Sequence, residues 1–434
     1  MKERAYVETI MGDTHTPITV FQRYVGEGIG FLLESKSQEK NRFSFIGRGS
    51  KELIEGQNKE ELMAILKEHL DKHQIENTSN LPFVGGAVGI LSYEFTGRFF
   101  LVREYIAYDH DYGKILFVVV DNDDVQGKIR ANQRIESMKE DFNKPIFDKE
   151  NKENEDNYVG EVTSNMTKEE FIDKVNRAKD YINLGEASQL VISQRWKVES
   201  NIKGFQLYRN LRSLNPSPYL FYYNFGDCQV AGSSPEMLVE IRKDKISTCP
   251  IAGTRPRGRN EEEDKILEKE LLQDKKELAE HIMLVGLAKE DMFLVSNKGT
   301  IKVRNYMKIH KFSHVMHITS LVEGEKRKDI DNLQVLDEFF PAGTLSGSPR
   351  KRAMEIIKEL EDEEREFYGG AAGHIDLNGD MDMCIAIRMM VIKDNNIYMQ
   401  AGAGIVSDSD PEKEYEECRN KVRAMEKAIY LGRD

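Results

Sequence analysis

The sequence predicts an α+β protein with largely antiparallel sheets. Several strand-like segments follow one another with no helical pattern between them, whereas a doubly wound parallel sheet alternates strands with helices. The glycine-rich segments fit neither a P-loop nor the dinucleotide-binding fingerprint. The succession of strands favours a mixed fold built on antiparallel strands, and the missing motifs argue against a nucleotide-binding loop.

The N-terminal third mixes strand-like and helix-like segments. Residues 59–73 have helical spacing. Strand patterns occupy residues 42–47, 85–95 and 114–121. Residues 139–165 are rich in Asp, Glu, Asn and Lys and poor in periodic apolar residues, which indicates a linker or a solvated surface excursion. We therefore divide the chain at this segment into regions 1–140, 141–165 and 166–432.

The region after this segment begins with a helix pattern at 166–186. Thr167 and Glu170 have the spacing of a capping box, and Gly185 is a plausible stop. Strand patterns follow at 187–198, 219–225, 229–242 and 245–253.

A long acidic helix is predicted from 261 to about 290. We expect its apolar stripe to face a core; the stripe consists of Leu271, Leu278, Ile282 and Val285. Strand patterns at 374–394 and 396–408 and a closing helix at 410–429 complete the chain. The buried stripe predicted for that helix is Tyr415, Cys418, Val422, Met425 and Ile429.

Composition limits the class of partner. The formal net charge of −13 argues against nucleic acid as the main partner, because phosphate binding needs a basic surface. The four cysteines have neither zinc-site spacing nor a disulfide framework. We find no signal peptide pattern and no apolar run long enough to span a membrane. A cytoplasmic enzyme is the expectation.

Two pairs of glutamates are candidate metal ligands: Glu277 with Glu280, and Glu414 with Glu417. A spacing of three places both carboxylates of a pair on one helix face. Two such helices facing each other would form an oxygen-rich site suited to Mg²⁺. Acidic helix faces are more often simply solvated, so both interpretations stand at this point.

Two further features suggest an anion site. The backbone of Gly402-Ala403-Gly404 is open to close approach and can present N–H groups to a carboxylate. Arg388 sits within an otherwise apolar run predicted to be a strand (384–392), where a cation is costly unless it is paired. An anionic ligand and a structural ion pair both satisfy Arg388. His314 and His317 face opposite ways if they lie in a strand, so a metal shared between them is not expected.

Many ordered motifs between 165 and 430 resemble the chorismate-utilising enzymes, and among these the anthranilate synthase component I family. They include QLVISQR (189–195), GSSPEMLVE (232–240), PIAGTRPRG (250–258) and MDMCIAIRMMV (381–391). The resemblance implies a large sandwich of two antiparallel sheets flanked by helices. It also implies that region 166–432 is the catalytic domain and that region 1–140 is regulatory.

The resemblance assigns roles to the candidate residues. It implies Mg²⁺ held by Glu277, Glu280, Glu414 and Glu417. It implies chorismate as substrate, contacted by Thr344, Tyr368, Arg388, Gly402, Ala403, Gly404 and Lys421. Glu236 matches the general acid that protonates the departing C4 hydroxyl, because hydroxide is a poor leaving group. His317 matches the histidine of the pyruvate elimination.

Two positions distinguish the reactions of this family. The resemblance implies a water-activating lysine at the position of Gln189 in isochorismate synthases. It implies a nucleophilic lysine at the position of Ala252 in aminodeoxychorismate synthases. This chain has neither lysine, so ammonia is the expected nucleophile. None of the cysteines lies in a glutaminase elbow. The resemblance therefore implies a separate glutamine amidotransferase subunit as partner.

Two short segments match the family's feedback site for tryptophan, an expected inhibitor. They comprise Leu33, Glu34 and Ser35, and Asn215, Pro216, Ser217, Pro218 and Tyr219. One motif departs from the family: Gly286, Lys289 and Glu290 stand where the pattern MLVDLxRND has Asp, Arg and Asn. This departure supports one alternative, a non-catalytic relative that keeps the fold. A second alternative is a synthase that retains the aminated ring adduct without eliminating pyruvate.

Overall fold

The computed structural model describes residues 2–35, 42–49, 53–73, 75, 81–144, 157–312 and 315–431. The first strands in the chain are β1 Glu3–Met11, β2 Gly30–Glu34, β3 Phe43–Arg48, β4 Ile54–Gly56, β5 Gly86–Leu91, β6 Gly97–Val102, β7 Glu104–Asp109, β8 Lys114–Asn122, β9 Thr163–Ser164, β10 Gln189–Glu199 and β11 Tyr219–Asn224. The later strands are β12 Gln229–Ser234, β13 Met237–Arg242, β14 Lys245–Cys249, β15 Ile251–Pro256, β16 Lys302–Lys311, β17 Val315–Glu325, β18 Gly347–Ser348, β19 Ala371–Asp376, β20 Met381–Ile385, β21 Met389–Lys393 and β22 Asn396–Ile405. The helices are α1 Pro17–Tyr24, α2 Lys59–Lys72, α3 Val125–Asn143, α4 Lys168–Asn183, α5 Gly204–Leu214, α6 Glu261–Leu271, α7 Lys275–Val295, α8 Asn332–Phe339, α9 Arg350–Leu360 and α10 Pro411–Tyr430.

The strands form two antiparallel sheets, so the predicted fold class is confirmed. The first sheet has 12 strands in the order β1-β8-β7-β3-β2-β11-β12-β21-β22-β10-β18, with β9 paired to β10. The second sheet has 10 strands in the order β15-β17-β14-β13-β20-β19-β5-β6-β4, with β16 paired to β17. Both sheets contain strands from before and after the predicted linker.

Alternating side chains explain why the sheets stack between helices. Along β11, Leu220 and Tyr222 pack on the helix side of the first sheet, whereas Phe221 and Tyr223 enter the core between the sheets. Helices α1, α3, α4, α5, α9 and α10 contribute to the first of these cores. Helices α2, α7 and α8 cover the outer face of the second sheet. The result is a four-layered arrangement of helices, sheet, sheet and helices.

Helix α4 begins where its sequence predicts. The Thr167 hydroxyl accepts a hydrogen bond from the Glu170 N–H at 3.2 Å, and the Glu170 carboxylate accepts one from the Thr167 N–H at 2.7 Å. Gly185 ends the helix with φ at +78°, a conformation that favours glycine. The capping box and the stop are thus both confirmed.

The single helix predicted over 261–290 is wrong, because two helices occupy this stretch. Helix α6 ends at Leu271, and Asp274 caps α7 by accepting hydrogen bonds from the N–H groups of Lys276 and Glu277. The break rotates α7 relative to the expected stripe, so the Ile282 side chain is 53% exposed. Leu271 and Val285 are buried as predicted, and α7 also buries His281, Leu284, Ala288, Met292 and Val295.

The predicted linker starts later than expected. Helix α3 runs to Asn143, and residues 145–156 lie outside the described residues. The boundaries proposed for the three regions stay a prediction. None of the described helices has both the length and the apolar character needed to cross a membrane.

Helix α7 contains a glycine whose replacement should stabilise the protein. A Cβ atom added at Gly286 would meet no atom within 4 Å. We expect Gly286→Ala to raise the free energy of unfolding by about 0.5–1 kcal/mol, because alanine is the better helix former. Urea unfolding measures this change.

Gly324→Ala is the matched control, since its Cβ would lie 2.2 Å from the Ser296 hydroxyl oxygen. We expect this control to be destabilised. A Gly286→Ala variant less stable than the parent would contradict the open helix face.

Candidate active site

The site lies where two neighbouring strands cross from one sheet to the other. Strand β12 of the first sheet continues through Pro235 and Glu236 into β13 of the second. Strand β20 of the second sheet continues through residues 386–388 into β21 of the first. The crossings are joined by hydrogen bonds from the Ser233 N–H to the Arg388 carbonyl and from the Ile385 N–H to the Glu236 carbonyl. Each crossing therefore holds one ionisable side chain where the sheets separate.

Glu236 is suited to donate a proton near neutral pH. Burial of its carboxyl group raises the pKa to about 7, against the opposing effects of Thr344, Arg388 and Lys421. The Thr344 hydroxyl donates to the Glu236 carboxylate at 3.1 Å. A carboxyl group with this pKa exists in both protonation states at physiological pH, as general acid catalysis requires.

Arg388 lies in the turn between β20 and β21, so its predicted placement within a strand is wrong. Its φ is +52°, and the surrounding protein lowers the pKa of the guanidinium by desolvating it. The charges of Tyr368, Glu417 and Glu236 oppose this effect on the pKa. Among the described residues, none forms an ion pair with the Arg388 side chain. The structural ion pair is thus not observed, and the anionic ligand stays a prediction.

The 402–404 backbone belongs to the part of strand β22 that has a neighbouring strand on one side only. Strand β21 pairs β22 only from Asn396 to Met399, whereas β10 pairs it as far as Ile405. A Cβ on Gly402 would lie 3.1 Å from the Tyr368 hydroxyl oxygen, so glycine lets Tyr368 approach the backbone here. The Lys421 ammonium donates to the Gly402 carbonyl at 2.7 Å. Tyr368, Lys421 and this backbone therefore form one wall of the site.

His317 lies on β17 and is held as a neutral ring. Its Nδ1 is 2.9 Å from the Gly253 carbonyl oxygen and 3.1 Å from the Thr254 hydroxyl. A carbonyl only accepts, so Nδ1 carries the proton and Nε2 keeps its lone pair. Desolvation lowers the pKa of His317, and Arg388 acts in the same direction. His314 lies outside the described residues.

Neither Ala252 nor Gln189 contributes an amine to the site. Ala252 is buried on β15 and pairs with Ile318 in the strand that carries His317. Gln189 is buried at the start of β10, and its side-chain oxygen has no hydrogen-bond partner among the described residues. Its amide nitrogen would lie 2.6 Å from a Cβ at Gly404, so it borders the candidate anion site.

The four glutamates lie on α7 and α10 within electrostatic reach of one another. Desolvation raises the pKa of Glu280, and the charges of Glu277 and Glu417 add to this effect. Desolvation also raises the pKa of Glu414, and Glu417 contributes again. Such mutual repulsion is what a divalent cation relieves.

The carboxylates are not assembled as a finished metal site. Glu417 is paired with Lys421 at 2.6 Å, and Glu277 lies 3.6 Å from Arg255. Within the described residues, no three His, Cys, Asp or Glu side chains are close enough together to hold an ion. The donor set is all oxygen, which fits Mg²⁺. The assignment of these ligands stays a prediction.

Comparison with known proteins shows the family of this chain. The model of the chorismate binding enzyme family matches residues 29–427. The chain belongs to the chorismate binding enzyme family. It is 42% identical to anthranilate synthase component 1 of Acetivibrio thermocellus, over 97% of this chain and 94% of the relative. It is 43% identical to the protein of the same name from Aquifex aeolicus, over 99% and 95%. The crystal structure of anthranilate synthase component I from Streptococcus pneumoniae TIGR4 superimposes with a TM-score of 0.77 at 34% identity, over 90% of this chain and 95% of that one.

This member of the chorismate binding enzyme family has a cavity of about 650 Å³ between the sheets, separate from the candidate active site. Its lining includes five of the residues predicted to bind tryptophan: Leu33, Glu34, Ser35, Pro218 and Tyr219. They meet because β2 pairs with β11, which places Glu34 opposite Leu220. Asn215, Pro216 and Ser217 are not part of this lining.

Sequence reasoning missed one buried group beside the active site of this chorismate binding enzyme. Arg365 and Glu361 form an ion pair at 2.7 Å, with side chains only 1% and 7% exposed. The run EDEERE (361–366) has the composition of a solvated surface. Nothing in its periodicity indicates that two of its charges are buried.

Proposed function

We propose that this chain is the aminating subunit of anthranilate synthase, which converts chorismate and ammonia to anthranilate and pyruvate in tryptophan biosynthesis. The proposal rests on two side chains at the neighbouring sheet crossings. Arg388 has no ion-pair partner among the described residues, and Glu236 can hold a proton near neutral pH. Chorismate is a dianion whose C4 hydroxyl must be protonated to leave. The names of the full-length relatives agree with this reaction.

Each residue acts on a defined part of chorismate. Arg388, Tyr368 and the 402–404 backbone bind the enolpyruvyl carboxylate, with Thr344 and Lys421 as further contacts. Glu236 protonates the C4 oxygen, the C4–O bond breaks, and water leaves while ammonia adds at C2. The added nitrogen releases its surplus proton to solvent. The Nε2 lone pair of His317 then accepts the ring proton at C2, and the C3–O bond breaks as the ring becomes aromatic. The departing enolate takes up a proton at its methylene carbon to become pyruvate.

Mg²⁺ is the proposed cofactor, held by Glu277, Glu280, Glu414 and Glu417. When bound, it clamps the ring carboxylate beside the reacting carbon and acts as an electrophile. The pKa values of Glu280 and Glu414 support this assignment, because desolvation and then the charges of neighbouring glutamates raise them, against the opposing effects of Lys276 and Lys421.

Ammonia is proposed to come from a separate glutamine amidotransferase subunit. Neither Ala252 nor Gln189 offers an amine. Desolvation raises the pKa of Cys228 to about 11 and that of Cys418 to about 12, so both thiols stay protonated at neutral pH. Cys384 is fully buried and its pKa is raised as well. These thiols are unsuited to glutamine hydrolysis, which needs a reactive thiolate.

The cavity between the sheets supports a proposed feedback site for tryptophan. Its wall combines aromatic side chains such as Phe43, Phe45 and Phe221 with the charged side chains of Arg242 and Asp382. A large apolar amino acid matches that combination, since its ring needs an apolar wall and its charged groups need polar partners.

Incubation with chorismate, Mg²⁺ and ammonium tests the proposed reaction. We expect fluorescent anthranilate and pyruvate in equal amounts. The retained-adduct alternative predicts an aminated ring without pyruvate, and the non-catalytic alternative predicts no product. Glu280→Gln should abolish the Mg²⁺-dependent turnover, whereas Glu290→Gln, an exposed carboxylate on the same helix, should leave it unchanged.

The pH dependence tests Glu236. We expect kcat/KM for chorismate, at a fixed concentration of unprotonated ammonia, to fall as the pH rises through about 7, because the acid loses its proton. Thr344→Val removes a hydrogen bond that favours the charged carboxylate. The pKa of Glu236 should therefore rise, and this alkaline limb should move to higher pH by about one unit.

Thr344→Ser keeps the hydroxyl and serves as the control, with the limb expected near its original position. An alkaline limb that stays in place in Thr344→Val would show that another group controls this titration.

A titration with tryptophan tests the regulatory site. We expect anthranilate formation to decrease as tryptophan is added, with L-phenylalanine as the control ligand. Activity that is unchanged by tryptophan would remove the feedback proposal without affecting the catalytic one.

A further inference from the structure

The Arg365–Glu361 ion pair connects several parts of the candidate site. Glu361 follows the end of α9, and Arg365 lies four residues later. The Arg365 Nε donates to one Glu361 oxygen at 2.7 Å, and Nη2 donates to the other at 2.7 Å. The guanidinium carbon also lies 4.5 Å from the centre of the Tyr93 ring.

The remaining donors of Arg365 are directed at backbone next to the site. Its Nη1 donates to the Leu345 carbonyl at 2.6 Å, and Leu345 follows Thr344 in the chain. Its Nη2 also donates to the Val191 carbonyl at 2.7 Å. Val191 is the direct partner of Gly404 in the β10–β22 ladder.

Two further contacts complete the connection. The Arg365 carbonyl accepts the N–H of Tyr368 at 3.2 Å. The Glu361 carboxylate accepts hydrogen bonds from the N–H and the hydroxyl of Ser193, at 2.8 and 2.9 Å, and Ser193 pairs with Gly402. The ion pair is therefore connected to four candidate substrate-binding residues. Tyr368 bonds directly to the Arg365 backbone, and the other three are adjacent in the chain or in the sheet to residues that the pair binds: Thr344, Gly402 and Gly404.

Stability alone is a weak reason for such a pair. Desolvating two charges is costly, and an apolar replacement of similar volume is often as stable. Fixed bidentate geometry is what an apolar cluster does not provide. Here that geometry sets the relative positions of the loop at Thr344, the turn at Tyr368, and strands β10 and β22.

We propose that Arg365 and Glu361 are positioning residues, which hold Thr344, Tyr368 and the 402–404 backbone in the arrangement that binds the enolpyruvyl carboxylate. The proposal rests on the function proposed above. Neither residue touches the reacting atoms. Their removal should therefore affect chorismate binding and the environment of Glu236 more than the chemistry of the ring.

Steady-state kinetics of three variants test this role. Glu361→Gln keeps the shape of the side chain and removes its charge. We expect its kcat/KM for chorismate to fall about 10–100-fold, mainly through KM, as for other residues that orient direct ligands. The alkaline limb of its pH profile should move to higher pH, because Thr344 is less firmly held against Glu236. A purely structural role would not move this limb.

Ser193→Ala is the milder variant, which leaves the ion pair intact and removes one of its hydrogen bonds. We expect a fall in kcat/KM of about fivefold. Arg48→Lys is the control for lost stability, because Arg48 binds Asp141 at 2.5 Å and the Tyr24 carbonyl, away from the residues that form the site. We expect its melting temperature to fall while its kcat and KM stay unchanged.

The outcomes separate the two proposals. If Glu361→Gln and Ser193→Ala keep KM and the pH profile of the parent while their melting temperatures fall, the positioning role is wrong. If Glu361→Gln does not fold, Ser193→Ala decides alone. If the parent protein makes no anthranilate, the proposed function fails, and chorismate affinity by calorimetry becomes the readout. Weaker binding in the variants then supports positioning, and unchanged binding overturns it.

Discussion

Two adjacent strand crossings between the sheets are the constraint on which the site depends. Strands β12 and β21 are neighbours in the first sheet, and their continuations β13 and β20 are neighbours in the second. The crossings therefore occur side by side, and two backbone hydrogen bonds join them. Where these two strands pass from one sheet to the other, the sheets separate and the regular packing between them is interrupted. Glu236 and Arg388 occupy this space.

The enclosure of this space explains the electrostatics of both side chains. Water is partly excluded, so the charged forms of Glu236 and Arg388 are both disfavoured. Arg365 is buried nearby but has its carboxylate partner and its backbone acceptors, whereas Arg388 has none of these among the described residues. The Arg365 guanidinium binds other parts of the protein, whereas the Arg388 guanidinium remains available for an anion.

Sequence patterns predicted most elements because local chemistry determines them. The capping box at Thr167 and the stop at Gly185 depend only on residues close in the chain. The break between α6 and α7 was missed because the acidic helical pattern continues through it, and Ile282 was consequently expected to be buried. Arg388 was placed in a strand because its neighbours are apolar, although a turn with positive φ begins there. The burial of Glu361 and Arg365 depends on distant strands, so no local pattern indicates it.

We propose that ammonia is the nucleophile, because neither Ala252 nor Gln189 supplies an amine or a water-activating lysine. Turnover of chorismate with Mg²⁺ and ¹⁵N-labelled ammonium tests it most directly, with mass spectrometry of the product and of the intact protein. The account predicts that anthranilate carries the label and that the protein forms no covalent adduct with the substrate. An adduct on the protein, or a product that carries a hydroxyl group from water in place of the labelled nitrogen, would contradict it.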